Sequence, residues 1–102
     1  MKFLAIEQDV PGIQDARFSP FLRAEAERVW DLYQSGKLRE LYFRGDKEAA
    51  VLVMECSDRE EANGLLGTLP LVREGLIRFE VIPLIPYPGF KRLFGGFAGA
   101  HD

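Results

Sequence analysis

The chain has 102 residues, 47% of them hydrophobic and 28% charged, and a formal net charge of −3. This length fits one domain with a substantial core, and the hydrophobic fraction excludes a disordered chain. The acidic balance argues against nucleic acid and anionic membranes as partners. The N-terminal apolar run is too short for a signal peptide, and no window approaches the roughly 18 apolar residues of a membrane span, so we expect a cytoplasmic protein.

The first third of the chain predicts a strand followed by an amphipathic helix. Residues 2–8 (KFLAIEQ) are typical of a strand, and residues 18–36 carry helix signals at both ends. Ser19 is the expected N-cap, Pro20 suits the first helical position, and Gly36 suits a left-handed C-terminal cap. The apolar stripe of this helix is predicted at Leu22, Ala26, Val29 and Tyr33, with Trp30 beside it.

Two strands follow, at residues 37–45 (KLRELYFRG) and 48–56 (EAAVLVMEC), with a turn at Gly45 and Asp46. Cys56 is the single cysteine, which excludes an internal disulfide. With one histidine in the sequence, the ligand count also excludes a structural zinc site. We expect Cys56 to be a small buried hydrophobe.

The remaining elements are a second helix and a long last strand. The helix is predicted within residues 57–70, with Ser57 and Glu60 as a capping box. Residues 76–87 (LIRFEVIPLIPY) predict the strand. Its two prolines cannot donate to a ladder, so we expect its second half to be an edge or to extend beyond the sheet.

The order βαββαβ predicts a ferredoxin-like α+β fold, a four-stranded antiparallel sheet with two helices on one face. Successive side chains of a strand point to opposite faces of the sheet. In the first strand Phe3 and Ala5 lie on one face and Leu4 and Ile6 on the other. The third and fourth strands divide in the same way, with Val51 and Val53 opposite Leu52 and Met54, and Ile77, Phe79 and Val81 opposite Ile82 and Leu84. Both faces of the sheet are therefore apolar, and two helices can cover only one. We expect the other face to pair with a second copy of the chain, giving a homodimer or a higher homo-oligomer.

We assign residues 1–88 to this α+β domain and residues 89–102 to an aromatic and glycine-rich C-terminal tail. The tail is too apolar to be simply solvated, and we expect it to pack over the partner subunit or to close a pocket. His101 is expected to be inert. The apolar tail residues are Phe90, Leu93, Phe94 and Phe97.

Residues 32–71 (LYQSGKLRELYFRGDKEAAVLVMECSDREEANGLLGTLPL) resemble the muconolactone isomerase family of the dimeric α+β barrel superfamily. The matching features are a helix that ends in Gly36, Arg39 in the next strand, and the turn Leu69–Leu71. The last strand matches through FEVIPL at residues 79–84, and the likeness covers about residues 25 to 90. It implies a cofactor-free isomerase of an unsaturated lactone acid, assembled as dimers or larger rings.

The sequence departs from the family pattern at three positions. Glu40 stands where family isomerases carry a histidine after the arginine, and Leu38 stands where they carry an aromatic residue. A basic residue of the first helix falls on Ala26, whereas Glu25 and Glu27 are retained as residue types.

Lactone isomerisation removes a proton next to a carbonyl and returns it elsewhere, which needs a base and a group that stabilises the enolate. A carboxylate in an apolar pocket can act as the base, because burial raises its pKa. An arginine can hold a small organic acid or lactone acid through its carboxylate. The candidate site residues are Glu40 and Glu7 as catalytic carboxylates, and Arg39, Arg44, Tyr42 and Trp30 as substrate-binding residues.

Simple alternation in the second strand puts Arg39, Leu41 and Phe43 on one face and Leu38, Glu40, Tyr42 and Arg44 on the other. We expect a central strand that directs one charge to each face. The competing interpretation is that these charges are solvated or form cross-strand ion pairs with Arg78 or Glu80. Two further functions stay open: a non-catalytic ligand-binding or assembly protein, and a cofactor-independent monooxygenase-like enzyme.

Overall fold

The architecture is a four-stranded antiparallel sheet with helices on one face, as the order of elements predicted. The computed structural model describes residues 1–95, so Phe97 and His101 lie outside the described residues. The elements are β1 (Lys2–Asp9), α1 (Leu22–Gln34), β2 (Leu38–Phe43), β3 (Ala50–Glu55), α2 (Arg59–Leu66), α3 (Pro70–Arg73) and β4 (Ile77–Leu84).

The strands lie in the order β2-β3-β1-β4, and every neighbouring pair is antiparallel. This confirms the ferredoxin-like prediction. The expectation that residues 36–41 belong to a central strand is wrong, because β2 is an edge strand. Charged residues suit an edge, whereas β1 and β3, which are apolar on both faces, occupy the centre. The fourth strand is the other edge, and Pro83 lies on it opposite Phe3, as expected for a proline within a sheet.

The helices pack on one face of the sheet and enclose the main core there. Ala5 and Met54 of the two central strands are fully buried, and Leu32 of α1 and Leu66 of α2 belong to the same cluster. Cys56 is buried, as expected, and burial raises the pKa of its thiol. The core cluster comprises Phe3, Ala5, Leu32, Leu38, Leu52, Met54, Cys56, Ala62, Leu66 and Leu69.

The other face of the sheet, which we call the open face, has no helix over it in the part of the chain that the structure describes. Its side chains are partly exposed, and they alternate with the core residues as predicted. Leu4 lies at its centre, between Val53 of β3 and Ile82 of β4. The apolar residues of the open face are Leu4, Ile6, Val51, Val53, Ile82 and Leu84.

A register shift interrupts β2 at Arg39. Leu38 lies opposite Met54 and Glu40 lies opposite Val53, so Arg39 is an extra residue with no partner of its own. Such a bulge reverses the alternation of the residues that follow it. The prediction that Leu38 shares a face with Glu40 is therefore wrong: Leu38 is buried in the core, whereas Glu40 lies on the open face.

The first helix begins later than the sequence predicted. Ser19 is not an N-cap, because residues Ser19–Phe21 form a separate 3-10 turn and its side chain makes no capping bond. At the other end Gly36 adopts φ 81°, which confirms the left-handed cap. Tyr33 and Ala26 are exposed, contrary to the predicted stripe.

The N-cap of α2 is Asp58, one residue after the predicted Ser57. The Asp58 carboxylate accepts a hydrogen bond of 2.8 Å from the Glu61 amide. The Glu61 carboxylate accepts one of 2.8 Å from the Ser57 amide. The arrangement resembles a capping box, but its acidic residue is Glu61 and not Glu60, and Glu61 binds the amide of the residue before the cap.

After β4 the chain continues as a segment that we call the C-terminal arm, residues 85–95. Tyr87 packs edge-on against Phe90, with ring centroids 5.1 Å apart. A Cβ on Gly89 would overlap the Tyr87 ring, so a larger residue there would require this exposed side chain to move. The arm is thus locally folded, although Phe90 and Leu93 remain largely exposed.

Candidate functional site

A cavity of about 330 Å³ lies between α1 and the core face of the sheet. It sits at the end of the sheet where β1 and β2 finish and β3 and β4 begin. Its walls are mostly aliphatic and aromatic, and two carboxylates interrupt them. The lining residues are Glu7, Leu22, Glu25, Val29, Leu41, Tyr42, Phe43, Ala50, Leu52, Leu69, Leu71, Ile77 and Phe79.

Glu7 reaches the cavity because it shares the core face with Phe3 and Ala5. The β1–β3 ladder ends at Ile6, and the Glu7 carboxylate then accepts a 2.9 Å hydrogen bond from the Ala50 amide. Burial raises the pKa of Glu7, and this amide bond opposes the rise in its pKa.

Glu25 enters from the opposite wall, on the inward side of α1. Its Oε1 accepts a 2.9 Å hydrogen bond from the amide of Leu71, in the first turn of α3. First-turn amides have no partner within their own helix, so Glu25 supplies one. Burial raises the pKa of Glu25, the Leu71 bond opposes this, and the charge of Glu7 raises the Glu25 pKa further.

The two carboxyls therefore share one apolar site, and the charge of Glu7 acts on Glu25. Burial raises the pKa of both carboxyls, and the charge of Glu7 raises the pKa of Glu25 further. Each uses one oxygen on a backbone amide, and the second oxygen has no hydrogen-bond partner among the described residues. Such a pair can hold one base and one proton donor side by side.

Of the six residues predicted for the site, Glu7 lines the cavity with its carboxylate, and Tyr42 borders it. The Tyr42 hydroxyl, however, donates to Glu40 at 2.8 Å on the open face. Glu40 is exposed and lies outside the cavity lining.

The predicted cations also lie away from the cavity. Arg39 donates from Nε to the Gly36 carbonyl at 2.6 Å. Arg44 forms a bidentate pair with Asp46, at 2.8 and 2.7 Å. Trp30 is 56% exposed and packs against Tyr33 on the outer side of α1. No cross-strand ion pair joins these charges to Arg78 or Glu80 within residues 1–95.

Comparison with known proteins identifies the family of this chain. The family model described as muconolactone delta-isomerase matches residues 1–89. The chain belongs to the muconolactone delta-isomerase family. No curated protein sequence matches it.

Two solved structures share the fold of this chain. A muconolactone isomerase structure has a TM-score of 0.72 and 23% identity, and the match covers 87% of this chain and 93% of that chain. A 5-chloro-2-hydroxyhydroquinone dehydrochlorinase from Burkholderia phenoliruptrix AC1100, in complex with 2,5-dihydroxybenzoquinone, has a TM-score of 0.64 and 21% identity, covering 85% and 96%. Family and fold together support a small-molecule, isomerase-like role. None of the helices within residues 1–95 is long and apolar enough to span a membrane.

Sequence reasoning did not select Glu25 for the site, although it noted that the family keeps this residue type. The signal was present in the spacing: Glu25 lies three residues after Leu22 and four before Val29, and both line the cavity. A carboxylate at an inward position of a helix is unusual, because burying its charge is costly unless it is paired or protonated.

Proposed function

We propose that the protein isomerises a small unsaturated ring compound by proton transfer, with Glu7 and Glu25 as the proton carriers. The observation that carries this proposal is the placement of two carboxyls with raised pKa in one apolar cavity. A lactone is the substrate type that the family name suggests.

In the proposed reaction the ionised Glu7 takes a proton from the carbon next to the ring carbonyl. The C–H bond breaks, an O–H bond forms on Glu7, and the electron pair is delocalised as a dienolate. Because the lining contains no cation, the dienolate oxygen needs a neutral donor, and protonated Glu25 can supply one. Return of the Glu7 proton to the far carbon of the dienolate moves the double bond and restores the base.

The test is the turnover of unsaturated γ-lactones, followed by ultraviolet absorbance and by proton–deuterium exchange in NMR spectra. Glu7→Gln and Glu25→Gln should each lower kcat by about 100-fold or more, because a general acid or base contributes roughly 10²–10⁴. Glutamine can still accept the bonds from Ala50 and Leu71, so both variants should remain folded.

Two further variants complete this experiment. Glu27→Gln changes an exposed carboxyl on the same helix and should leave kcat unchanged. Glu40→Gln tests the base that the sequence alone suggested. If Glu40→Gln abolishes turnover while Glu7→Gln retains it, the site is on the open face and the present assignment fails.

A homo-oligomer, with the open faces of two copies packed together, completes the proposal. The open face carries six apolar residues that α1, α2 and α3 leave uncovered, and patches of this kind usually mark interfaces. The C-terminal arm carries aromatic residues that are largely exposed, and in this proposal they contact a partner subunit.

A non-catalytic ligand-binding protein is the second candidate. One observation favours it: both cavity carboxylates already accept hydrogen bonds from backbone amides, and this structural role is sufficient to explain their presence. Ligand binding by the cavity without any proton exchange, in the same NMR experiment, would favour this alternative.

A further inference from the structure

The charge of the cavity restricts what it can bind. Its thirteen lining residues include two glutamates and no lysine, arginine or histidine. Whenever either glutamate is ionised, the cavity is therefore negative.

The nearby cations are engaged elsewhere. Lys47, whose charge lowers the pKa of Glu7, forms an ion pair with Asp9 at 2.9 Å. Arg73, whose charge lowers the pKa of Glu25, forms an ion pair with Glu74 at 3.7 Å. Both pairs are exposed to solvent, so neither provides a fixed positive charge inside the cavity.

We infer that the cavity selects an uncharged, hydroxylated or carbonyl-bearing ring and rejects the same ring when it carries a carboxylate. A carboxylate ligand would place a further negative charge in an apolar site that offers no arginine to hold it. A neutral ring loses no such charge solvation on entering, and it contacts walls such as Leu22, Val29 and Phe79.

Recognition of the ring comes from the two carboxyls. Their second oxygens can accept hydrogen bonds from ring hydroxyls, and a protonated carboxyl can donate to a ring carbonyl. The volume of about 330 Å³ is at the small end of the range for ligand sites, roughly 300–1,000 Å³, and suits a single substituted ring. This inference rests on the proposed function for the location of the site, but it concerns binding and not turnover.

The test compares two ligands that differ in charge and hardly in size: 3,5-dihydroxybenzoate and its methyl ester. Neither can undergo the proposed isomerisation, so calorimetry or NMR titration measures binding alone. At a slightly alkaline pH the ester should bind the full chain at least tenfold more tightly than the acid. Equal or tighter binding of the acid would overturn the inference, as would failure of the folded protein to bind either ligand.

Three variants connect the selectivity to the cavity. Glu7→Gln removes one negative charge and Glu25→Gln removes a second wherever Glu25 is ionised, so at the alkaline pH of the test each should reduce the preference for the ester at least threefold. Glu27→Gln, on the outer side of α1, should leave the preference unchanged. An unchanged preference in all three variants would mean that the selectivity arises outside the cavity, and the inference would fall.

The binding result is independent of the turnover result. A protein that prefers the ester but exchanges no protons supports the inference and refutes the proposed catalysis. A protein that prefers the acid but loses turnover in Glu7→Gln supports the catalysis and refutes the inference.

Discussion

At the residue scale the site depends on Glu25, a half-buried carboxylate that the predicted apolar stripe of α1 did not include. The predicted stripe on α1 counted the small or aromatic residues Ala26 and Tyr33, which are exposed. The inward side instead runs through Glu25 and Val29 to the buried Leu32. Apolar periodicity cannot find an inward carboxylate, because its place is fixed by a backbone amide from a distant element, here Leu71.

The raised pKa values of Glu7 and Glu25 predict how stability depends on pH. Their folded-state pKa lies above the ordinary glutamate value of 4.5, so the folded protein holds more protons than the unfolded chain between these values. The free energy of unfolding contributed by these groups therefore falls as the pH rises from the ordinary value through the raised one. Glu7→Gln removes one such group, so it should gain stability relative to the wild type on going from about pH 4 to about pH 7.5.

Urea unfolding at both pH values measures this difference. Glu27→Gln, an exposed change on α1, is the control and should show the same pH dependence as the wild type. A Glu7→Gln variant that loses stability relative to the wild type as the pH rises would contradict the assignment of Glu7 as a partly desolvated carboxyl.

At the element scale the sequence located every strand and both longer helices, but it missed details that depend on one residue. The bulge at Arg39 has no residue signature, since β2 carries no glycine at that position, and it results from pairing with β3. The cap of α2 moved from Ser57 to Asp58 because two adjacent residues were both able to cap. Gly36 was located correctly because a left-handed cap strongly favours glycine.

Two glycines offer a matched test of these local rules. Gly36 has φ 81° and open space at its Cβ position, so Gly36→Ala should cost about 1 kcal/mol through backbone strain alone. Gly64 lies inside α2, also with open space around it, so Gly64→Ala should stabilise the protein by about 0.5–1 kcal/mol. Urea unfolding of both variants should give shifts of opposite sign, and shifts of the same sign would contradict the assigned backbone conformations.

At the scale of the whole molecule the fold was predictable because the chain alternates helix and strand patterns in a βαββαβ order. The same patterns predicted that both faces of the sheet are apolar and that the two helices can cover only one of them. A homo-oligomer was expected from the sequence for this reason. The location of the cavity was not predictable, because it depends on how α1 packs on the core face of the sheet, which brings Glu25 and Glu7 into one lining.

A charge at the centre of the open face tests the assembly. Leu4→Lys should weaken self-association by at least about 100-fold, because burying an unpaired ammonium in an apolar interface costs several kcal/mol. Multi-angle light scattering should then report a monomer, with the circular dichroism of the folded chain retained. Ala26→Lys adds the same charge at an exposed position of α1 and should leave the oligomer intact. Wild-type protein that is monomeric at micromolar concentration would refute the assembly.

The two edges of the sheet have a consequence for growth of the assembly in other directions. Strand β2 presents the bulged Arg39 on one side, and β4 presents Pro83, which lacks an amide hydrogen, on the other. A further strand cannot dock along either edge without meeting a kink or a missing donor. The bulge and the proline therefore disfavour growth by addition of strands at the edges, and the apolar open face is the surface left for contact between copies in the proposed assembly.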